Sequence, residues 1–91
     1  MDLKVGRNVF NITEDDLILD NGACYQIITK EIGSGWNKYA PVMSKKLFNE
    51  LKKREFVFSS DELKASAEKR YNSCGLTYWK FNITKMEREG Y

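Results

Sequence analysis

The side chains that could carry chemistry in this sequence are neighbouring carboxylates, two cysteines and a set of lysines and arginines. Histidine is absent from the 91 residues, which removes the usual general base at neutral pH and the commonest metal ligand. Cys24 and Cys74 are far apart in the chain and predict neither a zinc site nor a thiol nucleophile. Asp15–Asp16 and Asp61–Glu62 could hold a hard cation, but the start of a helix also favours Asp61–Glu62. We therefore expect a protein that is not an enzyme and that has no cofactor or metal ion.

The basic residues are concentrated in the second half of the chain. The whole sequence has 15 Lys and Arg against 13 Asp and Glu, and its net charge of +2 is too small to identify a partner. Residues 1–41 hold four basic and six acidic residues, a net charge of −2, whereas residues 42–91 hold eleven and seven, a net charge of +4. The second part is the one expected to attract a polyanion, although a solvated surface of mixed charge explains the same counts.

The size and apolar content predict a single domain over residues 1–91, since 42% of the residues are hydrophobic. No apolar run approaches the roughly 18 residues that span a bilayer, so we expect no membrane association. The sequence also shows no secretory signal. We therefore expect a cytoplasmic, intracellular protein whose cysteines are free in a reducing compartment.

The N-terminal part predicts strands. Residues 3–12 are rich in β-branched and aromatic residues and predict one short strand. Asn21-Gly22 predicts a type I′ turn, because both central residues need positive φ, and hence a β-hairpin of residues 16–19 and 23–30. This hairpin region covers residues 1–32 and is followed by a loop at residues 33–42. In that loop Trp36, Lys38 and Tyr39 could bind a partner or stack on a base, or the rings could fold back onto the core.

From residue 43 onward the apolar residues recur at helical spacing. A first helix is predicted from Ser44 to Arg54, followed by a strand at residues 55–58. A second helix is predicted from Ser59, as N-cap of a capping box with Glu62, to Tyr71. Phe58 and Leu63 are placed to form a hydrophobic staple at its start.

Residues 76–89 fit two structures. The aromatic and β-branched residues of 77–83 favour a strand, whereas residues 84–89, which Gly90 would close, favour a helix that starts at Leu76. We expect the helix and keep the strand as the alternative.

Residues 43–91 contain, in order, a short strand, a capped helix, a tight turn and a helix ending in Lys-Met-Glu-Arg-Glu-Gly-Tyr. This order resembles the helix-turn-helix part of winged-helix DNA-binding domains. The resemblance implies an α+β fold in which an N-terminal β-hairpin is followed by three helices in a winged-helix-like arrangement. The wing of that family would follow Tyr91, where the sequence ends. Either the wing is absent or the hairpin of residues 16–30 takes the sheet position beside Phe56–Phe58.

The function implied is binding of double-stranded DNA, as in a transcriptional regulator, with residues 76–89 as the recognition helix in the major groove. The candidate residues for reading bases are Thr77, Tyr78, Lys80 and Phe81. The residues expected nearer the phosphates are Thr84, Lys85 and Arg88. Further contacts to the DNA backbone are assigned to Lys45, Lys46, Lys64, Lys69 and Arg70. The alternative is a small protein-binding module, such as an inhibitor or adaptor of a larger enzyme among viral or mobile-element proteins. Its partner, or a second copy in a homodimer, would contact the loop with Trp36, Lys38 and Tyr39.

Overall fold

A computed structural model describes residues 1–28 and 42–91. Its strands are β1 (Asp2–Val5), β2 (Asn8–Asn11), β3 (Leu17–Asp20), β4 (Tyr25–Ile28), β5 (Val42–Met43), β6 (Val57–Phe58) and β7 (Thr77–Phe81). Its helices are α1 (Lys45–Lys53), α2 (Asp61–Tyr71) and α3 (Ile83–Arg88). The α+β class is confirmed. The expected hairpin followed by three helices is too simple, since the described residues contain seven strands in two sheets.

The larger sheet has five antiparallel strands in the order β5-β4-β3-β7-β6. Strand β7 lies inside it, where Tyr78 pairs with Leu19 of β3 and Lys80 pairs with Phe58 of β6. The helix expected from Leu76 is therefore wrong over β7, because the aromatic and β-branched side chains fit a strand with a neighbour on each side. Only α3 at the end of that segment is helical.

Two hairpins precede α1. Strands β1 and β2 form a separate two-stranded sheet around Gly6, at φ +62°, where a single strand was predicted. Strands β3 and β4 pair as predicted, but residues 21–24 form the loop between them instead of a two-residue type I′ turn. The reason is local: Asn21 Oδ1 accepts hydrogen bonds from the backbone N–H groups of Ala23 (2.9 Å) and Cys24 (2.8 Å).

The predicted place of the β3–β4 hairpin beside Phe56–Phe58 is wrong, because β7 occupies that position in the sheet. The predicted loop at residues 33–42 lies outside the described residues except for Val42, which belongs to β5. Strand β5 pairs with β4 and forms one edge of the sheet, and β6 forms the other.

The five-stranded sheet is covered on both faces. On the first face Ile18 and Ile27 pack with Phe48 of α1, together with residues of the N-terminal hairpin and α3. On the second face Leu19 packs with Tyr71 of α2. Consequently α1 and α2 lie on opposite sides of the sheet, and each presents its outer surface on a different side of the molecule.

Helix α2 begins one residue later than predicted. Ser60 is the N-cap, and its Oγ accepts a hydrogen bond from the Leu63 N–H at 3.1 Å. The Ser59 hydroxyl instead donates to the Tyr78 carbonyl at 2.8 Å, tying the chain to β7. The predicted capping box and staple are therefore wrong, because Glu62 is the second helical residue and Phe58 is 45% exposed.

Helix α1 agrees closely with its prediction. Ser44 caps it by accepting from the Leu47 N–H at 3.1 Å. At its end the Phe56 N–H donates to the Leu51 carbonyl at 2.8 Å, and Glu55 has φ +60°. This is the Schellman arrangement, with glutamate at the left-handed position that glycine usually takes.

Candidate functional site

Beside the exposed Glu50, the solvent side of α1 carries four lysines and one asparagine, all exposed. We call this set the α1 lysine face: Lys45, Lys46, Asn49, Lys52 and Lys53. Phe48 and Leu51 point to the core from the opposite side. At 100° per residue, positions seven apart return to nearly the same side of a helix, about 10.5 Å further along. The lysines thus form two such pairs, which run along the outer side of α1.

The first turn of α1 is unusual in charge. Lys45 and Lys46 occupy it without any acidic residue, although the positive end of the helix dipole disfavours cations there. Helix α2 shows the ordinary arrangement, with Asp61–Glu62 in its first turn and Lys69–Arg70 in its last. Helix stability therefore explains the charges of α2 and the last turn of α1, but it does not explain the two lysines that begin α1.

The lysines of this face have no carboxylate partner among the described residues, where the ion pairs are Lys64–Glu68 at 3.9 Å and Lys85–Glu55 at 2.7 Å. Unpaired cations close together on one surface create a local positive potential. The α1 lysine face can therefore attract an anionic ligand without first breaking an ion pair to a described side chain.

An aromatic ring borders the lysines. Trp79 of β7 is half-buried, and its indole N–H donates to Asp20 Oδ2 at 3.2 Å. Lys52 Nζ lies 5.3 Å from the centroid of this ring, and Phe48 meets the ring edge-on at the same centroid distance. The indole is thus held from three directions, and it fixes the position of Lys52 at the edge of the face.

The base-reading residues predicted from the sequence do not lie on one exposed helix. Tyr78 and Phe81 are 0% and 2% exposed and belong to the core on opposite faces of the sheet. Thr77 and Lys80 are half-buried in the same strand. These four positions alternate between two faces, as strand residues do, and they cannot enter one groove together.

The predicted phosphate contacts fall on separate elements. Thr84 and Arg88 of α3 are exposed, but Lys85 is half-buried and paired with Glu55. Helix α2 carries Lys64, Lys69 and Arg70 on the other side of the sheet from Lys45 and Lys46. Of the predicted set, the structure brings Lys80 and Arg70 together, since both line a small cavity of about 120 Å³.

Two members of the α1 lysine face, Lys52 and Lys53, were missed as binding residues because the helix dipole alone accounts for them. The seven-residue spacing from Lys45 to Lys52 and from Lys46 to Lys53 was the available signal. The predicted partner-binding residues Trp36, Lys38 and Tyr39 lie outside the described residues.

Within residues 1–28 and 42–91, no group of three or more His, Cys, Asp or Glu side chains is arranged to hold a metal ion. No helix in this part of the chain is long and apolar enough to cross a membrane. The two cysteines are unbridged, with Cys74 exposed and Cys24 half-buried.

Comparison with models of protein families, with curated proteins and with solved structures finds no match to this chain. The resemblance to winged-helix domains therefore stays a prediction.

Proposed function

We propose that this chain is a small non-enzymatic DNA-binding protein that contacts the phosphate backbone of duplex DNA through the α1 lysine face. The observation that carries the proposal is the presence of Lys45 and Lys46 in the first turn of α1. Each cation at that end lowers the stability of a helix by about 0.3–1 kcal/mol. A binding role accounts for their presence, since lysine side chains contact phosphate oxygens as point charges.

The proposed binding is independent of DNA sequence. Lysine ammonium groups that approach phosphates position a protein on the duplex and carry no base information. The recognition helix expected at residues 76–89 has no part in it, because β7 is inside the sheet. A transcriptional role would need a base-reading element in addition to the α1 lysine face.

The test measures the affinity of a random duplex at several salt concentrations by fluorescence anisotropy. Four lysine–phosphate contacts predict a slope of about −3.6 in log affinity against log salt, which is roughly a 100-fold loss between about 50 and 200 mM salt. Replacing Lys45 and Lys46 by glutamine should reduce the steepness of that slope by about 2.

The matched control replaces Lys64 and Lys69 of α2 by glutamine. This variant loses the same two charges from the opposite side of the sheet, so it separates a local binding face from overall charge. We expect it to bind like the wild type. Equal losses in both variants, or wild-type affinity that does not change with salt, would contradict the proposal.

A second candidate function is binding of a protein through the edge of β6 that has no strand partner among residues 1–28 and 42–91. Phe58 on this edge strand is 45% exposed, and it lines a groove of about 250 Å³ with Ile83 of α3. An unpaired strand edge beside an exposed aromatic ring favours pairing with another chain. A second copy of this protein is the simplest such partner, because two β6 edges can pair antiparallel across a two-fold axis.

Sedimentation velocity at rising concentration tests this second candidate. We expect dimers in the wild type and their loss in Phe58→Ser. The control is Val9→Ser, which removes another exposed apolar side chain, 62% accessible on β2. A wild-type protein that stays monomeric, or equal loss of dimers in both variants, would rule out pairing through β6.

A further inference from the structure

A cleft of about 420 Å³ lies beside the C-terminal end of α1. Its walls are Glu50, Lys53, Arg54 and Tyr91. The volume is within the range of about 300–1,000 Å³ that is usual for small-ligand sites. Lys53 belongs both to this cleft and to the α1 lysine face, so the two surfaces are continuous.

Arg54 is held in this cleft by aromatic rings. Its guanidinium carbon lies 4.5 Å from the centroid of Phe56 and 5.8 Å from that of Tyr91. Phe56 is completely buried, so one of these rings has a fixed position. Stacking uses the flat faces of a guanidinium and leaves its in-plane N–H groups available. No described residue forms an ion pair with Arg54, and its fork can therefore receive a phosphate in the bidentate manner.

Tyr91 offers an aromatic surface on the other side of the cleft. Its ring is 42% exposed and meets Phe56 edge-on, with centroids 5.1 Å apart and planes at 68°. Its backbone N–H donates to the Met86 carbonyl at 2.9 Å, after the left-handed turn at Gly90. A tyrosine phenol is neutral near neutral pH, and burial, and secondarily the charge of Glu50, raises the pKa of Tyr91 further. A neutral exposed ring is suited to stacking on a nucleobase.

Glu50 makes the cleft different from a simple anion site. Its carboxylate adds a hydrogen-bond acceptor next to two cations. Inorganic phosphate is an anion at neutral pH and is repelled by this negative charge, whereas the neutral amino group of a base can donate to a carboxylate. The three kinds of group in the cleft correspond to the phosphate, the ring and the amino group of one nucleotide.

We infer that this cleft binds a nucleotide, with its phosphate on Arg54 and Lys53, its base against Tyr91 and a base amino group on Glu50. The nucleotide can come from two sources. One is a free nucleoside monophosphate, which requires nothing from the proposed DNA binding. The other is an unpaired nucleotide at the end of a duplex, and this source rests on the proposed function.

Calorimetric titration of the full chain with adenosine monophosphate tests the first source, with adenosine and inorganic phosphate as separate probes. We expect the monophosphate to bind more tightly than either part. Arg54→Lys keeps the charge but loses the planar fork, and it should weaken binding about 10-fold. The control is Arg70→Lys, because Arg70 also lies over a tyrosine ring, 5.3 Å from the centroid of Tyr71, but outside this cleft.

The second source is tested with two duplexes that differ only in a one-nucleotide overhang. If the cleft holds a terminal nucleotide, the wild type prefers the overhang, and Tyr91→Leu removes the preference while blunt-duplex affinity is unchanged. A wild type that binds the monophosphate but not the blunt duplex would contradict the proposed function and support the nucleotide site. The inference is overturned if the wild type shows neither monophosphate binding nor overhang preference, or if Arg70→Lys weakens monophosphate binding as much as Arg54→Lys.

Discussion

Lys85 Nζ lies 2.7 Å from Glu55 Oε2, and this ion pair joins α3 to the second residue after α1. Glu55 is held there in the left-handed region, at φ +60°. A charged side chain thus occupies a backbone position that glycine would take without strain.

Replacing Glu55 by glycine is expected to raise the melting temperature by a few degrees. The substitution relieves the left-handed strain, and the ion pair that it removes is open to solvent on the Glu55 side, where the side chain is 80% accessible. Glu55→Ala is the control, because alanine keeps the Cβ atom and loses the pair, and it should lower the melting temperature. Thermal unfolding followed by circular dichroism measures both. A similar decrease in the two variants would show that the ion pair outweighs the strain.

The same pair predicts a pH dependence. The hydrogen bond from Lys85, and then its charge, lowers the pKa of Glu55 below 4.5. A carboxyl group with a lowered folded-state pKa stabilises the protein above its ordinary pKa, and this stabilisation is lost as the pH falls through the lowered value. The melting temperatures of the wild type and Lys85→Met should therefore differ near neutral pH and begin to converge as the pH falls below the ordinary glutamate pKa of about 4.3. A difference that is constant with pH would exclude the ion pair as its cause.

The interior position of β7 predicts losses of stability of different size for two adjacent residues. Phe81 is 2% exposed in the core, so Phe81→Ala should cost about 3–5 kcal/mol of the free energy of unfolding. Lys80 is half-buried with no ion pair to a described residue, and Lys80→Ala should cost less than about 1 kcal/mol. Urea denaturation measures both values. Small and equal losses are what an exposed helix over these residues would give, and they would argue against the strand.

The charge of the first turn of α1 predicts a separation of stability from binding. Lys45→Glu with Lys46→Glu should stabilise the protein by about 0.5–2 kcal/mol, because the acidic side chains interact favourably with the helix N-terminus. The same variant should bind duplex DNA far more weakly than the wild type. Denaturation and anisotropy on one preparation test both effects. Reduced stability would indicate a structural role for these lysines.

Local signals predicted α1 and α2 more reliably than the sheet. Ser44 begins α1 as expected, because a cap and the apolar spacing of the helix depend only on neighbouring residues. The start of α2 was wrong by one position because Ser59 and Ser60 are both suitable caps. A long-range contact, the hydrogen bond from the Ser59 hydroxyl to the Tyr78 carbonyl, distinguishes them.

The candidate site was the least predictable part. Reading residues 76–89 as one helix placed Tyr78 and Phe81 on a surface, whereas strand pairing with β3 buries both. That pairing depends on residues about 60 positions earlier, which no local pattern reports. Lys45 and Lys46 were identified as secondary contacts. Their separation from the α2 cations required knowing that the two helices cover opposite faces of the sheet.

The position of β7 also has a consequence for how the protein is made. Residues 17–20 emerge from the ribosome early, but their partners in β7 are synthesised some 60 residues later. Until then β3 and β6 both have an open edge, and such edges are prone to aggregation. We therefore expect the five-stranded sheet to close in one late, slow step of high contact order. Nascent chains that stop before Thr77 should depend on chaperones to stay unaggregated.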